Sequence, residues 1–266
     1  MRPPIARSIF GALVAFLAMP AAAAPHRDAA GARADALYFV GDFETCDFSQ
    51  WPRRTGPTGA FMIVRTRHAQ GRCSASLSVG SSTRGTWNPR SDAVAIAPPF
   101  ADYGTQGHTV WQHFSIRFPR NFRSVSGDWN WITEWHNSDG GELPNLCWTV
   151  LNRNGVERIA MRILGGNSRS PRRTWVKAPV LQRNHWYDFL VRTTWSADPK
   201  VGAVQWWLDG KRLFSQHRAT LYTRPDGSIS SVYFMQDYYR AHASWTATIL
   251  LDGTRLGATR AAVRYR

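Results

Sequence analysis

Short segments in which apolar and polar residues alternate run through most of the chain, and turn residues separate them. Asn154-Gly155 and Pro225-Asp226-Gly227 are two of these turn signals. Alternation with a period of two is typical of strands that bury one face. No stretch of useful length has the 3.6-residue apolar period of an amphipathic helix. The sequence therefore predicts an all-β fold, a sandwich of two antiparallel sheets.

One hairpin and one loop stand out in this pattern. Asp209-Gly210 separates two strand-like runs and predicts a type I′ turn, which needs two residues with positive φ. Residues 165–179 are rich in Gly, Ser and Arg and predict a basic loop. Such loops are usually only solvated, but over a cleft this one would help to hold a polyanion. The main predicted strands are Val110–Phe118, Trp129–His136, Cys147–Asn152, Arg158–Ile163, Trp186–Trp195 and Val232–Arg240.

The N-terminus has the pattern of a secretory signal peptide. Arg2 and Arg7 form a charged region, Ile9–Met19 an apolar region, and Ala21–Ala24 a small-residue cleavage zone. We expect residues 1–24 to be removed, residues 25–36 to form a disordered leader, and residues 37–266 to form one domain. The protein is then secreted or periplasmic, with no membrane anchor.

The chain is strongly basic, with a formal net charge of +15. Of its 33 basic residues only Lys177, Lys200 and Lys211 are lysine, and the rest are arginine. A GC-rich genome is one explanation. An anionic partner is the other, because guanidinium groups bind carboxylates and sulfates through two hydrogen bonds at once.

Three cysteines remain to be placed. In an oxidising compartment two of them are expected to form a disulfide, and a Cys46–Cys73 bond closes the N-terminal segment most simply. Cys147 is then a buried free thiol. No Cys/His spacing typical of zinc is present.

The most informative strand is Trp129–Asn137. Strict alternation places Trp131 and Trp135 on an apolar face and Ile132, Glu134 and His136 on the other. An acid and an imidazole two residues apart then point the same way, as on the floor of a cleft. A half-buried strand with a merely solvated polar face is the alternative.

Several ordered motifs give the chain a resemblance to secreted polysaccharide lyases of the glucuronan-lyase and heparin-lyase-I-like group. Glu134-Trp135-His136 is similar to a Gln-x-His motif of that group. The other matching segments are Phe43–Trp51, Arg90-Ser91-Asp92, Phe114–Pro119, Trp186–Phe189, Trp206–Lys211 and Tyr233–Arg240. The resemblance implies a β-jelly roll with a concave substrate-binding sheet.

The resemblance also implies β-elimination from a uronic acid. Arg90 would neutralise the substrate carboxylate and His136 would remove the C5 proton. Tyr239 would protonate the leaving oxygen, or perform both proton transfers if the elimination is syn. Alternation groups Tyr239 with Met235 and Asp237 on one face, and Arg90 with Asp92 on another. Glu134 completes the catalytic set, and the residues assigned to substrate binding are Asn130, Arg117, His113, Asp237 and Arg240.

Three departures from the family pattern leave alternatives open. Glu134 replaces a Gln, Met235 a Lys and Asp237 a Gly. An ionised Glu134 would repel a uronate, whereas a protonated or Arg-paired one would still bind it. Two carboxylates would also suit a glycoside hydrolase. A carbohydrate-binding module without chemistry is the third reading, and a nucleic-acid binder the last.

No cofactor is required by the elimination scheme. Jelly rolls of this type often hold a structural calcium ion, for which Asp42, Glu44 and Asp252 are the oxygen donors to test. The partner we expect is an anionic polysaccharide rather than nucleic acid or a membrane, bound by a monomer.

Overall fold

The computed structural model describes residues 37–80, 91–99, 103–138 and 141–264, which form two largely antiparallel β-sheets packed face to face. We call them the back sheet and the front sheet. The back sheet has the strand order β13-β12-β11-β6-β16-β4-β3, with β1 added to β16. Its strands are β1 (Leu37–Gly41), β3 (Phe61–Val64), β4 (Ser74–Val79), β6 (Thr109–Arg117), β11 (Trp186–Thr194), β12 (Ala203–Leu208), β13 (Lys211–His217) and β16 (Ala247–Gly257).

The front sheet has the order β10-β9-β8-β7-β15-β5-β2, and the short β14 pairs with β9 in parallel. Its strands are β2 (Arg53–Thr55), β5 (Ser91–Ala97), β7 (Asn130–Asn137), β8 (Leu146–Arg153), β9 (Val156–Asn167), β10 (Arg172–Val180), β14 (Tyr222–Thr223) and β15 (Val232–Ala241). This architecture confirms the predicted all-β sandwich.

Helical structure is confined to a 3-10 turn at Thr58–Ala60 and a terminal helix, α1 (Arg260–Val263), within the described ranges. The Thr259 hydroxyl caps α1 by accepting a hydrogen bond from the backbone N–H of Ala262, 3.1 Å away. No helix in the described part of the chain is long and apolar enough to cross a bilayer.

The core lies between the two sheets and is built mainly from aromatic side chains. Trp135 of β7 is 1% exposed, and its indole centroid lies 5.0 Å from that of Trp195 and 5.3 Å from that of Phe234. Its Nε1–H donates to Oε1 of Gln112 on β6, at 2.9 Å. The residues of β7 that neighbour Trp135 in sequence therefore point out of the sandwich, onto the face of the front sheet that is directed away from the core. We call this the front face.

The predicted hairpin is confirmed and the predicted basic loop is wrong. Asp209 and Gly210 have φ values of 50° and 75° between β12 and β13, as a type I′ turn requires. Residues 165–167 instead end β9, and β10 occupies most of the remaining segment. We attribute the error to the Arg and Lys residues of β10, which is an edge strand. Such charges prevent an edge strand from pairing with other chains. They also hide the apolar alternation by which a strand is predicted from sequence.

The N-terminal predictions fall on residues 1–36, outside the described residues. The predicted disulfide is present: Cys46 and Cys73 are bonded, with their Cα atoms 5.4 Å apart. Cys147 is free and buried, as expected.

Candidate active site

Strand β7 does not alternate strictly, and this changes which side chains reach the front face. Its pairing with β8 shifts by one residue just after Trp131, as a β-bulge does. Ile132 and Trp135 consequently both belong to the core. The prediction that Ile132 shares a face with Glu134 is therefore wrong, whereas Glu134 and His136 do share one.

Strand β15 lies beside β7 and alternates as predicted. Phe234 and Tyr238 belong to the core, so Met235, Asp237 and Tyr239 point to the front face. In the register Met235 lies opposite Glu134, and Tyr239 lies opposite Trp131. Residues directly opposite each other on antiparallel strands share a face, so both strands supply polar groups to one surface.

Arg162 on β9 is a member of this site that the sequence analysis missed. Cys147 of β8 pairs with Glu134 on one side and with Arg162 on the other, which places all three on the front face. The guanidinium carbon of Arg162 lies 4.4 Å from the ring centroid of Trp131, a cation–π contact. The alternation of Arg162 with the buried Met161 and Ile163 was the signal that could have revealed it.

Glu134 and Asp237 are two nearly inaccessible carboxyl groups, 3% and 2% exposed. Burial raises the pKa of Glu134 to about 7, partly offset by the charge of Arg162. Burial also raises the pKa of Asp237 well above its ordinary value, and the neighbouring charge of Glu134 raises it further. Both acids therefore hold protons more tightly than exposed carboxyl groups do.

His136 is a buried imidazole whose protonation follows from its contacts. It is 8% exposed, and burial lowers its pKa, so that the neutral form is favoured. Its Nδ1 lies 3.1 Å from the carbonyl oxygen of Asn137. A carbonyl oxygen only accepts, so Nδ1 must carry the proton and Nε2 must keep its lone pair. Nε2 of His136 is therefore available as a base.

Two tyrosines of β15, Tyr233 and Tyr239, also point to the front face. The ring centroid of Tyr233 lies 5.7 Å from that of His136, and burial raises the pKa of its phenol, which stays protonated. Tyr239 is half-buried, and its ring centroid lies 6.0 Å from that of Trp129. His136 and Tyr239 thus lie on either side of the row that contains Glu134.

Two predicted substrate-binding residues are structural instead. Asn130 is fully buried, and its amide group bonds to the backbone N–H and C=O of Val125, at 2.7 and 2.9 Å. Arg240 is also fully buried and forms an ion pair with Asp92, at 3.2 Å. Neither side chain is accessible to a polysaccharide, so both predictions are wrong.

His113 and Arg117 were also placed wrongly, because β6 belongs to the back sheet. The neighbouring Phe114 and Ile116 face the core, so His113 and Arg117 point away from the sandwich on the side opposite Glu134. His113 Nε2 lies 2.7 Å from Oδ1 of Asp188, and Arg117 donates to the side-chain oxygen of Asn184 at 3.2 Å. Arg90 lies outside the described residues.

The three proposed calcium ligands do not form a ligand set. Asp42 binds Arg255 at 3.0 Å, and Asp252 accepts hydrogen bonds from the backbone N–H groups of Ala69 and Gln70 at 2.6 and 3.1 Å. The carboxylate of Glu44 accepts from the backbone N–H groups at 72 and 73. No three acidic, His or Cys side chains in the described ranges are grouped as a metal site would require. The predicted calcium site is therefore not supported by these donors.

A family model described as polysaccharide lyase matches residues 43–255. No curated protein matches the sequence. Among solved structures, alginate lyase Aly36B in complex with alginate trisaccharide is similar, with a TM-score of 0.57 and 11% identity over 84% of this chain and 95% of that one. The catalytic domain of a glycoside hydrolase family 131 protein from Coprinopsis cinerea gives a TM-score of 0.56 and 13% identity over 84% and 95%. A family 7 alginate lyase, A1-II', gives 0.52 and 13% over 76% and 85%. At these identities the solved structures show the fold alone.

Proposed function

The chain belongs to the polysaccharide lyase family, and we propose that it cleaves a uronic-acid-containing polysaccharide by β-elimination. The observation that carries the proposal is the neutral, Nδ1-protonated imidazole of His136 on the same face as Arg162. The reaction removes the C5 proton of a uronate and expels the O4 substituent. It needs a base, a positive charge near the carboxylate, and an acid for the leaving oxygen.

His136 is the proposed base. Its depressed pKa keeps Nε2 unprotonated even in mildly acidic solution. Since the backbone carbonyl holds the other nitrogen, the ring presents Nε2 in a fixed direction. General-base catalysis of this kind contributes roughly 10²- to 10⁴-fold to a rate.

Arg162 is the proposed electrophilic group. Its guanidinium lies over the ring of Trp131, and its side chain is 6% exposed, so its charge acts in a medium of low dielectric constant. A uronate carboxylate bound there would lose much of its negative charge, which makes the C5 proton more acidic. Arg162 thus takes the role that the sequence assigned to Arg90.

Tyr239 is the proposed acid. It is half-buried and lies across the Glu134 row from His136. The phenol of Tyr239 and the imidazole of His136 point to the same face of the front sheet, on which the substrate would bind. Tyr233, in ring contact with His136, is a positioning residue in this scheme.

The substrate class is supported by the charge of the chain and by its structural neighbours. The net charge of +15 favours an anionic polymer. The Aly36B structure contains an alginate trisaccharide. We therefore propose a uronate polymer as substrate. The sequence pattern at residues 1–24 supports export to the compartment where such polymers occur.

A substrate panel tests this function. Purified protein is incubated separately with alginate, glucuronan, heparin and pectate, and the ultraviolet absorbance of the C4–C5 unsaturated uronate is followed. We expect absorbance to rise with at least one polymer. New reducing ends without this absorbance would identify a hydrolase, and binding without cleavage a carbohydrate-binding module.

A further inference from the structure

The two buried carboxyl groups of the front face have no role in the scheme above. Glu134 lies opposite Met235, and Asp237 is two residues farther along β15 on the same face. Such diagonal neighbours have their Cα atoms about 7–8 Å apart, so the two carboxyl groups lie within reach of each other. The charge of Glu134 accordingly raises the pKa of Asp237.

Neither acid has the partners that buried carboxylates usually need. Within the described ranges no Lys, Arg or His lies within ion-pair distance of Glu134 or Asp237, and Oδ1 of Asp237 accepts no hydrogen bond. The buried carboxylate of Asp92, by contrast, binds Arg240, His242 and the backbone N–H of Ala243. An unpartnered, ionised carboxylate is costly to bury, whereas a protonated one is not.

The groups around the pair do not neutralise two charges. Arg162 of β9 is the cation whose charge acts on Glu134. Cys147 of β8 and Tyr233 of β15 are buried groups whose pKa values are raised, so both stay uncharged. His136 is neutral for the reason given above. More distant charges act on these neighbours: Arg53 of β2 on Tyr233, and Glu142 on His136.

We propose that Glu134 and Asp237 both keep their protons on the front face near and below neutral pH, and that Glu134 donates a hydrogen bond to the carboxylate of the bound uronate. The inference rests on the proposed function and deepens it. Two buried carboxyl groups in one small volume ionise only at a high cost, so both keep their protons until Glu134 titrates. The pair then offers a neutral donor to the substrate, whereas two carboxylates would repel it.

Arg162 and the pair would hold the uronate together. The guanidinium supplies positive charge, and the protonated carboxyl group of Glu134 supplies a hydrogen bond to a carboxylate oxygen, which is stronger than a bond between neutral groups. The side chain at 134 thereby works as a donor although it is an acid. Activity then depends on the protonated pair, and it falls as the pH rises through about 7, where Glu134 titrates.

The double variant Glu134→Gln/Asp237→Asn tests the proposal through the pH dependence of kcat/KM. The amides keep the size and donor capacity of the protonated pair but cannot ionise. We expect the wild type to lose activity about tenfold per pH unit above about pH 7, and the double variant to lose this alkaline decline. At about pH 8 the variant should therefore exceed the wild type several-fold. Glu142→Gln is the matched control, and it should keep the decline.

Infrared spectroscopy gives a second readout that needs no turnover. At about pH 6 the carbonyl stretch of protonated carboxyl groups should be weaker in the double variant than in the wild type, and the band that remains is that of Asp252, whose pKa burial also raises to about 7. A band of equal strength in the two proteins, or an alkaline decline that the double variant retains, would overturn the inference. A protonated pair in a protein that releases no unsaturated product from any uronate polymer would overturn the proposed function instead.

Discussion

The two outer faces of the sandwich carry similar side chains but differ in how completely those side chains are hydrogen-bonded or ion-paired. On the back sheet His113 contacts Asp188 and the carbonyl oxygen of Gly253, at 2.7 and 2.9 Å. Both ring nitrogens therefore face acceptors, and the pKa of His113 is raised although burial alone would lower it. On the front face the pKa of His136 is lowered, and Nε2 keeps its lone pair. A histidine whose contacts are complete stabilises the fold, whereas one with a free nitrogen can react.

The carboxyl groups show the same difference. Glu157 of β9, whose side chain is turned away from the front face, accepts a hydrogen bond from the backbone N–H of Ser124 and forms an ion pair with Arg183. Glu134 and Asp237 have no such partners within the described ranges. Residue type does not separate the two faces, because both contain His, Arg and acidic residues. The two faces differ instead in whether their buried polar side chains have complete hydrogen bonds and ion pairs. Buried polar groups with incomplete pairing are common at functional sites.

The largest effect should come from the two histidines. His136→Gln should lower kcat/KM roughly 10²- to 10⁴-fold, because the base is lost. His113→Gln is the matched control on the back sheet and should leave kcat/KM nearly unchanged. Initial rates of unsaturated product formation measure both. Equal losses in the two variants would show that the faces do not differ in function.

The two arginines should differ next most. Arg162→Met should lower kcat/KM roughly 10²- to 10³-fold, since the charge that stabilises the developing carbanion is lost. Arg117→Met removes a guanidinium from the opposite face and should change kcat/KM less than about twofold. The same assay measures both. A comparable loss in Arg117→Met would place substrate on the back sheet.

The two tyrosines of β15 sharpen the assignment within the front face. Tyr239→Phe should lower kcat about 10²-fold, because the leaving oxygen loses its acid. Tyr233→Phe keeps the aromatic contact with His136 and should cost less. Steady-state kinetics separate kcat from KM for each variant. The opposite order would make Tyr233 the acid.

The smallest effects concern stability and have opposite signs for the two kinds of carboxyl group. The folded pKa of Glu134, about 7, lies above its ordinary value of 4.5. Its contribution to stability is therefore fully present below about pH 4.5 and is lost as the pH rises through 7. Asp252, whose pKa burial also raises to about 7, acts in the same direction. Glu134→Gln should raise the free energy of unfolding by about 1–2 kcal/mol at about pH 8 and change it little at about pH 4.

Glu157→Gln should instead lower the free energy of unfolding by about 1–3 kcal/mol, because Arg183 and Ser124 lose a charged acceptor. Urea titrations of both variants at the two pH values measure the effect. A destabilising Glu134→Gln at about pH 8 would mean that this carboxyl group is paired like that of Glu157.

The sequence predicted which residues of one strand share a face better than it predicted which strands lie side by side. The alternation of β15 was sufficient to group Met235, Asp237 and Tyr239, because period-two patterns report the face of a strand directly. Pairing between distant segments leaves no such signal. Arg240 resembled a surface residue, since its partner Asp92 lies 148 residues away.

His113 and Arg117 illustrate the same limit at the level of the sheets. Alternation showed that they point away from the core but not which sheet contains β6. Arg162 was overlooked although its own strand alternates, because nothing local indicated that β9 lies two strands from β7. Sheet order depends on contacts across the whole chain, and motif spacing does not encode it.

The bulge in β7 places Ile132 in the core and the indole of the adjacent Trp131 on the front face. A regular strand would turn the indole of Trp131 inward and Ile132 outward. The irregular pairing after Trp131 exchanges the faces to which Trp131 and Ile132 point. It leaves the faces of Glu134 and His136 unchanged. The irregular pairing, rather than any single side chain, therefore keeps the indole of Trp131 beside the guanidinium of Arg162.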